Sequence, residues 1–179
     1  MGEVTKTDKA NTMEKNNTPE TVSMTVIGII HTPHKTIEQM PIQPLGAESI
    51  QGVVEVLPDY VDGLRDLDGF SDIMLIYHLH KVKGYKLIVR PFMDDRDHGL
   101  FSTRAPRRPS PIGISTVRLL KVEGNKIYFE GADMLDGTPL LDIKPFMRQF
   151  DNRPNAVSGW LDDKDPDTVK RTRSDSRFV

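Results

Sequence analysis

The chain contains no cysteine among its 179 residues. This absence excludes disulfide bonds, thiolate zinc sites and a cysteine nucleophile, and it fits a cytoplasmic protein. The sequence also has no apolar run long enough to span a membrane. Residues 1–20 lack the apolar segment of a secretory signal peptide. We therefore expect a cytoplasmic protein that does not insert into a membrane.

Other features are scarce in ways that limit the function. The formal net charge of -2 argues against broad electrostatic binding to nucleic acid, although it allows a local basic patch. One Trp and four Tyr leave few aromatic side chains for stacking bases. No glycine-rich phosphate loop follows a predicted strand, and no serine-centred nucleophile elbow is present. A Rossmann nucleotide site and an α/β-hydrolase site therefore have no support.

The hydrophobic content of 37% suits one compact domain with a core of its own. Residues 1–23 are polar and show no periodicity, which predicts a disordered N-terminal tail. Residues 161–179 place four aspartates before a group of basic residues, and we read them as a charged C-terminal tail, solvated or forming a short frayed helix. The folded domain is then expected over residues 24–160.

The middle of the chain reads as mostly β. Runs rich in β-branched residues, bounded by Pro and Gly, predict many short strands. A hairpin is expected at Glu123-Gly124-Asn125, and the one helical candidate of the core lies around residues 60–67. Such spacing favours a single small β-barrel or sandwich with short helical segments. The predicted strands cover residues 24–30, 49–57, 72–80, 85–90, 114–122, 126–132 and 140–146.

Two polar groups have a functional and a structural interpretation. His78 and His80 are expected on one face of a strand, and with Asp94, Asp95, Asp97 and His98 nearby in sequence one reading is a metal site. The preferred reading is a pocket or strand-end role without metal. Asp136-Gly137-Thr138-Pro139 reads as a turn between strands. Asp142 and Lys144 then share a strand face, which predicts a surface ion pair.

Residues 104–113 read RAPRRPSPIG, with three arginines and three prolines in ten positions. Proline stiffens the backbone and pushes the residue before it towards extended geometry. Arginines on a stiff segment lose less entropy on binding, and their guanidinium groups suit carboxylates and phosphates. The residues alone leave two interpretations open. The arginines either bind an anionic ligand or form salt bridges with aspartates of the same chain.

Five separated motifs occur in one order along the chain. They are HTPHKT…MPIQP, GVVEVLPDYVDGLRDLDGFSDIMLIYHLHK, RPF, HGLFSTRAPRRPSPIGIS and DMLDGTPLLDIKPF. Together they resemble the TsaA/TrmO-like tRNA methyltransferases over residues 26–150. The resemblance implies a single β-barrel distinct from Rossmann-like methyltransferases, S-adenosylmethionine as cofactor, a homodimer, and methylation of N6 of N6-threonylcarbamoyladenosine beside the anticodon of tRNA. The family commonly has Asn where this chain has Ser110.

The resemblance also assigns residues. Arg104 is expected to face the cofactor, and Arg107 and Arg108 to face RNA or a partner subunit. Backbone groups of Ile42, Ile114 and Leu135 could read the adenine edge. Asp133 suits ribose hydroxyls or the methionine ammonium. The full set expected to bind the cofactor is Pro41, Ile42, Gln43, His80, Lys81, Arg104, Ile114, Ala132, Asp133, Met134 and Leu135.

Methyl transfer needs alignment of the acceptor nitrogen with the methyl group and exclusion of water, without a metal. A base within hydrogen-bond reach should help N6 lose its proton, and His80 and Asp136 are the candidates. Two alternatives remain: a non-catalytic β-barrel that binds RNA, and, less favoured, a cupin-like metalloenzyme using His78 and His80.

Overall fold

The structure is a computed structural model, and it describes residues 21–178. The predicted N-terminal tail therefore lies outside the described residues except for positions 21–23. The described part contains eight strands, two short α-helices and several short 3₁₀ segments. The strands are β1 (Gly28–His31), β2 (Gln51–Val56), β3 (Asp72–His78), β4 (Ile88–Val89), β5 (His98–Gly99), β6 (Ile112–Glu123), β7 (Lys126–Glu130) and β8 (Thr138–Pro145), and the helices are α1 (Arg148–Asp151) and α2 (Pro166–Arg171).

Six of these strands close into one barrel in the order β1-β2-β7-β6-β3-β8. Every pairing within the barrel is antiparallel, and β8 closes it by pairing with both β1 and β3. Closure removes the exposed sheet edges on which a neighbouring chain could form strands. The predicted single β-barrel is confirmed.

The barrel interior follows from alternation along the strands. In β2, Val54 and Val56 point inward and are almost fully buried, whereas Glu55 between them is exposed. Strand β3 repeats the pattern with Ile73, Leu75 and Tyr77. Side chains on a strand point alternately to opposite faces, so this spacing fixes which residues fill the core. The predicted hairpin at residues 123–125 joins β6 to β7, with Gly124 at φ 59°.

Two aromatic rings pack directly over glycines on the neighbouring strand. Phe129 lies opposite Gly52, and Tyr77 lies opposite Gly113. A Cβ atom at either glycine would overlap the ring. Both positions therefore require glycine for lack of space, and Gly113 sets where the Tyr77 ring lies at one end of the barrel.

Some local elements differ from the sequence predictions. The helical candidate near residues 60–67 is two 3₁₀ segments, Pro58–Leu64 and Leu67–Gly69. His98 and Gly99, which lie outside the predicted strands, form β5, which pairs with the short β4 as a separate two-stranded sheet. Asp142 and Lys144 form the predicted ion pair at 2.9 Å.

The C-terminal segment, residues 158–178, packs against the loops rather than extending into solvent. Phe178 is 6% exposed and packs with Val89, Leu100, Ala105 and Phe92. The hydroxyl of Ser174 donates to the carbonyl of Ile37, and the backbone N–H of Ser174 donates to the carbonyl of Met40 at 2.9 Å. Part of the segment, Pro166–Arg171, is the short helix α2, one of the two forms expected, whereas the packing of Phe178 and Ser174 differs from a solvated tail.

Candidate functional site

A cavity of about 950 Å³ opens at the end of the barrel where β3 ends and β6 begins. The antiparallel pairing of β3 with β6 brings His78 opposite Ile112 and Tyr77 opposite Gly113, so both strands contribute to its wall. Its volume lies within the range typical of small-molecule and cofactor sites. Further parts of the lining come from residues 40–45, 79–82, 91–93 and 101–106, from residues 133–135 between β7 and β8, and from part of the C-terminal segment.

The residues that the sequence assigned to the cofactor converge on this cavity. They come from positions as far apart as 41 and 135, yet all except Ala132 line it. Ala132 is fully buried behind the wall, where His34 Nε2 lies 3.0 Å from its carbonyl oxygen. The lining residues predicted from the motifs are Pro41, Ile42, Gln43, His80, Lys81, Arg104, Ile114, Asp133, Met134 and Leu135.

Arg104 and Asp133 both line the cavity. Arg104 Nη1 donates to Gln43 Oε1 at 3.1 Å, which joins the Pro41-Ile42-Gln43 segment to residues 104–113, here called the basic loop. Burial raises the pKa of Asp133 to about 7, while the Ser115 hydrogen bond and the Arg104 charge act in the opposite direction. A guanidinium and a carboxylate in one cavity suit the carboxylate and the ammonium group of a zwitterionic ligand. The apolar side chains that line the rest of the cavity suit an aromatic ring of the same ligand.

Asp133 is held by a chain of hydroxyl groups. Ser115 Oγ donates to Asp133 Oδ1 at 2.7 Å, and the Tyr77 hydroxyl lies 3.0 Å from Ser115 Oγ. Because the Ser115 proton is used on Asp133, the Tyr77 hydroxyl is the donor in the second bond. Burial raises the pKa of Tyr77 well above its ordinary value, so this hydroxyl stays protonated and able to donate. These two hydrogen bonds hold one carboxylate oxygen of Asp133 in a fixed position.

Ser115 and Tyr77 were not among the predicted site residues. Ser115 is 1% exposed and occupies an inward position of β6, in line with Val117 and Leu119. A serine at an inward position of an otherwise apolar alternation is the sequence signal that could have identified it, since a buried hydroxyl needs a partner. The identity of that partner depends on the fold.

His80 lies at the rim of the cavity, two residues beyond the end of β3, so the prediction that it shares a strand face with His78 is wrong. Burial and the neighbouring Lys81 charge lower its pKa below the ordinary value of 6.5. The imidazole is therefore neutral near pH 7 and can accept a proton there. His80 is the one of the two predicted bases that lies on this cavity.

Asp136, the other predicted base, faces a different part of the surface. Its carboxylate pairs with Lys35 Nζ at 2.7 Å and accepts the Thr32 N–H at 3.0 Å. These bonds lower its pKa. Asp136 lines a separate, open cavity of about 360 Å³ with His31 and Tyr128, and it does not line the large one. Its contacts hold the turn before β8, so this geometry gives no support to a catalytic role.

The basic loop uses its arginines in three different ways. Arg104 enters the cavity as expected. Arg108 also lines the cavity, and its Nη1 donates to the Thr103 carbonyl at 3.0 Å while its guanidinium lies 5.8 Å from the Phe101 ring centre, so it stabilises the loop as well. Arg107 does not line the cavity, and its Nε is buried without a hydrogen-bond partner in the described part of the chain.

The C-terminal segment supplies one wall of the cavity. Trp160 lines it, donates from Nε1 to the Ser102 carbonyl at 2.9 Å, and stacks on His98 with ring centres 4.6 Å apart. Ser174 and Phe178 also line it. Ser174 and Phe178 belong to the predicted C-terminal tail, whereas Trp160 is the last residue of the predicted folded domain.

The described part of the chain contains neither a candidate metal site nor a candidate membrane-spanning helix. Among residues 21–178, no group of three His, Cys, Asp or Glu side chains is placed to hold a metal ion. No helix in that range combines the length and the apolar character needed to cross a bilayer.

Comparison with known proteins points to one family. Residues 29–152 match the model of the tRNA-methyltransferase O N-terminal domain. A probable S-adenosyl-L-methionine-binding protein of Pyrococcus abyssi is 50% identical over 85% of this chain and 82% of its own length. A mouse tRNA (adenine(37)-N6)-methyltransferase is 42% identical over 51% of this chain and 22% of its own length.

A solved structure agrees with these sequence matches. The crystal structure of TrmO from Pseudomonas aeruginosa superposes with a TM-score of 0.66 and 34% identity, over 78% of this chain. The match covers 62% of the crystallised protein, so this chain spans less than two thirds of that relative.

Proposed function

Because the chain belongs to the tRNA-methyltransferase O family, we propose that it is an S-adenosylmethionine-dependent tRNA methyltransferase. The acceptor is N6 of N6-threonylcarbamoyladenosine beside the anticodon. One observation carries the proposal: motifs far apart in sequence converge on a single cavity that contains both Arg104 and Asp133. The name of the mouse relative, an adenine-N6 methyltransferase acting at position 37, supports the acceptor atom.

The cavity residues fit S-adenosylmethionine. Arg104 binds the methionine carboxylate through its guanidinium, and Asp133 binds the ammonium group with the oxygen that Ser115 leaves free. Ile42, Ile114 and Leu135 pack on the adenine ring from the apolar part of the wall. When bound, this cofactor supplies the methyl group as an electrophile.

His80 accepts the proton that N6 loses. A urea-like nitrogen is a weak nucleophile, so a neutral acceptor at the rim, where the RNA base enters, assists the reaction. The lowered pKa of His80 keeps it in that neutral form. The target base lies in a single-stranded loop and can leave its stack at little cost in pairing energy. From the family resemblance and the absence of cysteine, we further propose that the enzyme acts in the cytoplasm as a homodimer.

The test uses radiolabelled S-adenosylmethionine with tRNA from cells that contain or lack the threonylcarbamoyl modification. We expect methyl uptake only by the modified tRNA. Equal uptake by both tRNAs would contradict the assignment of the acceptor. Calorimetry of the protein with S-adenosylmethionine is the second arm, and lack of binding there would favour the alternative of a non-catalytic RNA-binding barrel.

A further inference from the structure

A loop rich in lysine follows directly after the cavity rim. Residues 81–86, here called the lysine loop, read KVKGYK. The side chains of Lys81, Lys83 and Lys86 are exposed. None of these lysines takes part in the ion pairs formed within residues 21–178. The loop therefore presents several uncompensated positive charges in a chain with net charge -2.

Arg107 adds a fourth positive charge to this surface. A Cβ atom placed on Gly84 would lie 3.9 Å from Arg107 Nη2, so the guanidinium lies beside the turn of the lysine loop. Gly84 has φ 63°, a conformation that L side chains rarely adopt, and it turns the loop towards this arginine. Charges from two separate segments are thus gathered on one side of the cavity mouth.

The same loop carries an exposed aromatic ring. The Tyr85 side chain is 56% exposed and lies between the lysines. It takes no part in the aromatic or cation–π contacts within the described residues. Lysine ammonium groups beside an uncovered aromatic ring are the combination with which proteins bind single-stranded nucleic acid, by phosphate contacts and base stacking.

We propose that the lysine loop, together with Arg107, is the surface that binds the phosphate backbone of the substrate RNA next to the cavity, with Tyr85 stacking on an unpaired base. This inference rests on the proposed function, because an RNA base has to enter at the adjacent rim formed by His80 and Lys81. The sequence predicted Arg107 and Arg108 as the residues that face RNA. Because the Arg108 guanidinium donates to a carbonyl of its own loop, we assign the main RNA contacts to the lysines and Arg107.

A second copy of the chain is a less suitable occupant. Leu87 and Ile88 follow the loop and are exposed, which a protein partner would cover. However, a two-fold interface centred on the lysine loop would place the same positive charges against each other. Like charges brought together in this way oppose association, whereas RNA phosphates neutralise them.

The test measures binding of a fluorescein-labelled anticodon stem-loop RNA by anisotropy, over a series of NaCl concentrations, in the presence of S-adenosylmethionine. The test variant is Lys83→Ala/Lys86→Ala. The matched control is Arg65→Ala/Lys126→Ala, which removes two exposed positive charges that line neither cavity. Tyr85→Ala forms a third arm, and calorimetry with S-adenosylmethionine checks the cofactor site in every variant.

The test variant should bind RNA about 10-fold more weakly, and its salt slope should fall by roughly 0.7–0.9 for each phosphate that the protein no longer neutralises. Tyr85→Ala should weaken binding by about 5-fold or more with the slope unchanged. Cofactor affinity should equal that of the unaltered protein in all three variants.

RNA affinity equal to that of the control variant would overturn the surface while leaving the proposed function intact. The surface is likewise overturned if sedimentation shows that the test variant changes the oligomeric state without changing RNA binding. If the unaltered protein binds no RNA at all, the proposed function falls together with the surface.

Discussion

Replacing Ser115 with alanine should weaken cofactor binding near neutral pH but not at higher pH. The Ser115 hydroxyl donates to Asp133 at 2.7 Å and favours the ionised carboxylate, whose pKa burial raises to about 7. Without this bond the pKa should rise further. Since Asp133 is proposed to bind the cofactor's ammonium group in its ionised form, binding follows the ionised fraction.

The magnitude follows from the hydrogen bond. A bond to a charged acceptor contributes about 1.5–3 kcal/mol, and about 1.4 kcal/mol corresponds to one pKa unit. A rise of roughly one unit lowers the ionised fraction near pH 7 from about a half to about a tenth. The variant should therefore bind S-adenosylmethionine roughly 5-fold more weakly there, and nearly as well as the unaltered protein near pH 9.

The assay is calorimetric titration of both proteins with S-adenosylmethionine over a pH series. The cofactor's own ionisation affects both proteins alike, so the ratio of the two dissociation constants is the quantity to plot. The control is Tyr77→Phe, which removes the donor to Ser115 but keeps the bond from Ser115 to Asp133. Its ratio should stay flat with pH.

A ratio for Ser115→Ala that does not vary with pH would refute this reasoning, because it would indicate a general loss of structure. Loss of structure is an alternative explanation that has to be tested. The variant leaves the buried Tyr77 hydroxyl without its partner, which lowers the free energy of unfolding by about 1–3 kcal/mol. Circular dichroism at each pH shows whether the variant is folded under the conditions of the titration.

Three further predictions test the site. Gly113→Ala should displace the Tyr77 ring, lower the free energy of unfolding by about 1–3 kcal/mol and weaken cofactor binding, whereas Gly63→Ala, with open space around it, should change neither; equal denaturation midpoints for the two would contradict the packing. Phe178→Ala should release the C-terminal segment, shift the fluorescence of the only tryptophan and lower cofactor affinity; an unchanged affinity would show that this wall is dispensable. At saturating substrates, kcat should rise with pH through a transition centred below 6.5, because burial lowers the pKa of His80. A transition near 7 would indicate that Asp133, rather than His80, accepts the proton from N6.

Much of the barrel could be predicted from local sequence. Alternating Val54 and Val56, the glycine at residue 124 and the ion pair of Asp142 with Lys144 all follow from side-chain periodicity and turn chemistry. Periodicity of two residues is a local property, so it can be read without knowing which strands pair. The order of the strands around the barrel has no such local signal.

The cofactor residues could be assigned in advance only because the motifs as a group resemble one family. Their convergence on a single cavity is a property of the fold. The pairing of β3 with β6 and the closure of β8 against β1 bring positions 41, 104 and 133 together, although long stretches of chain separate them.

By itself, the sequence determined the strands of the barrel, the turn at residues 123–125 and the set of residue types available for chemistry. The tertiary structure decided which of those residues face one another. Asp133 and Asp136 are three positions apart, yet one lies in the large cavity and the other pairs with Lys35 on a separate face. The chain turns between them towards β8, and the direction of a side chain after a turn depends on the strands that the turn connects. In the same way, the packing of Phe178 converted a charged tail into a cavity wall, because burial of a side chain depends on surfaces that form only when the whole chain has folded.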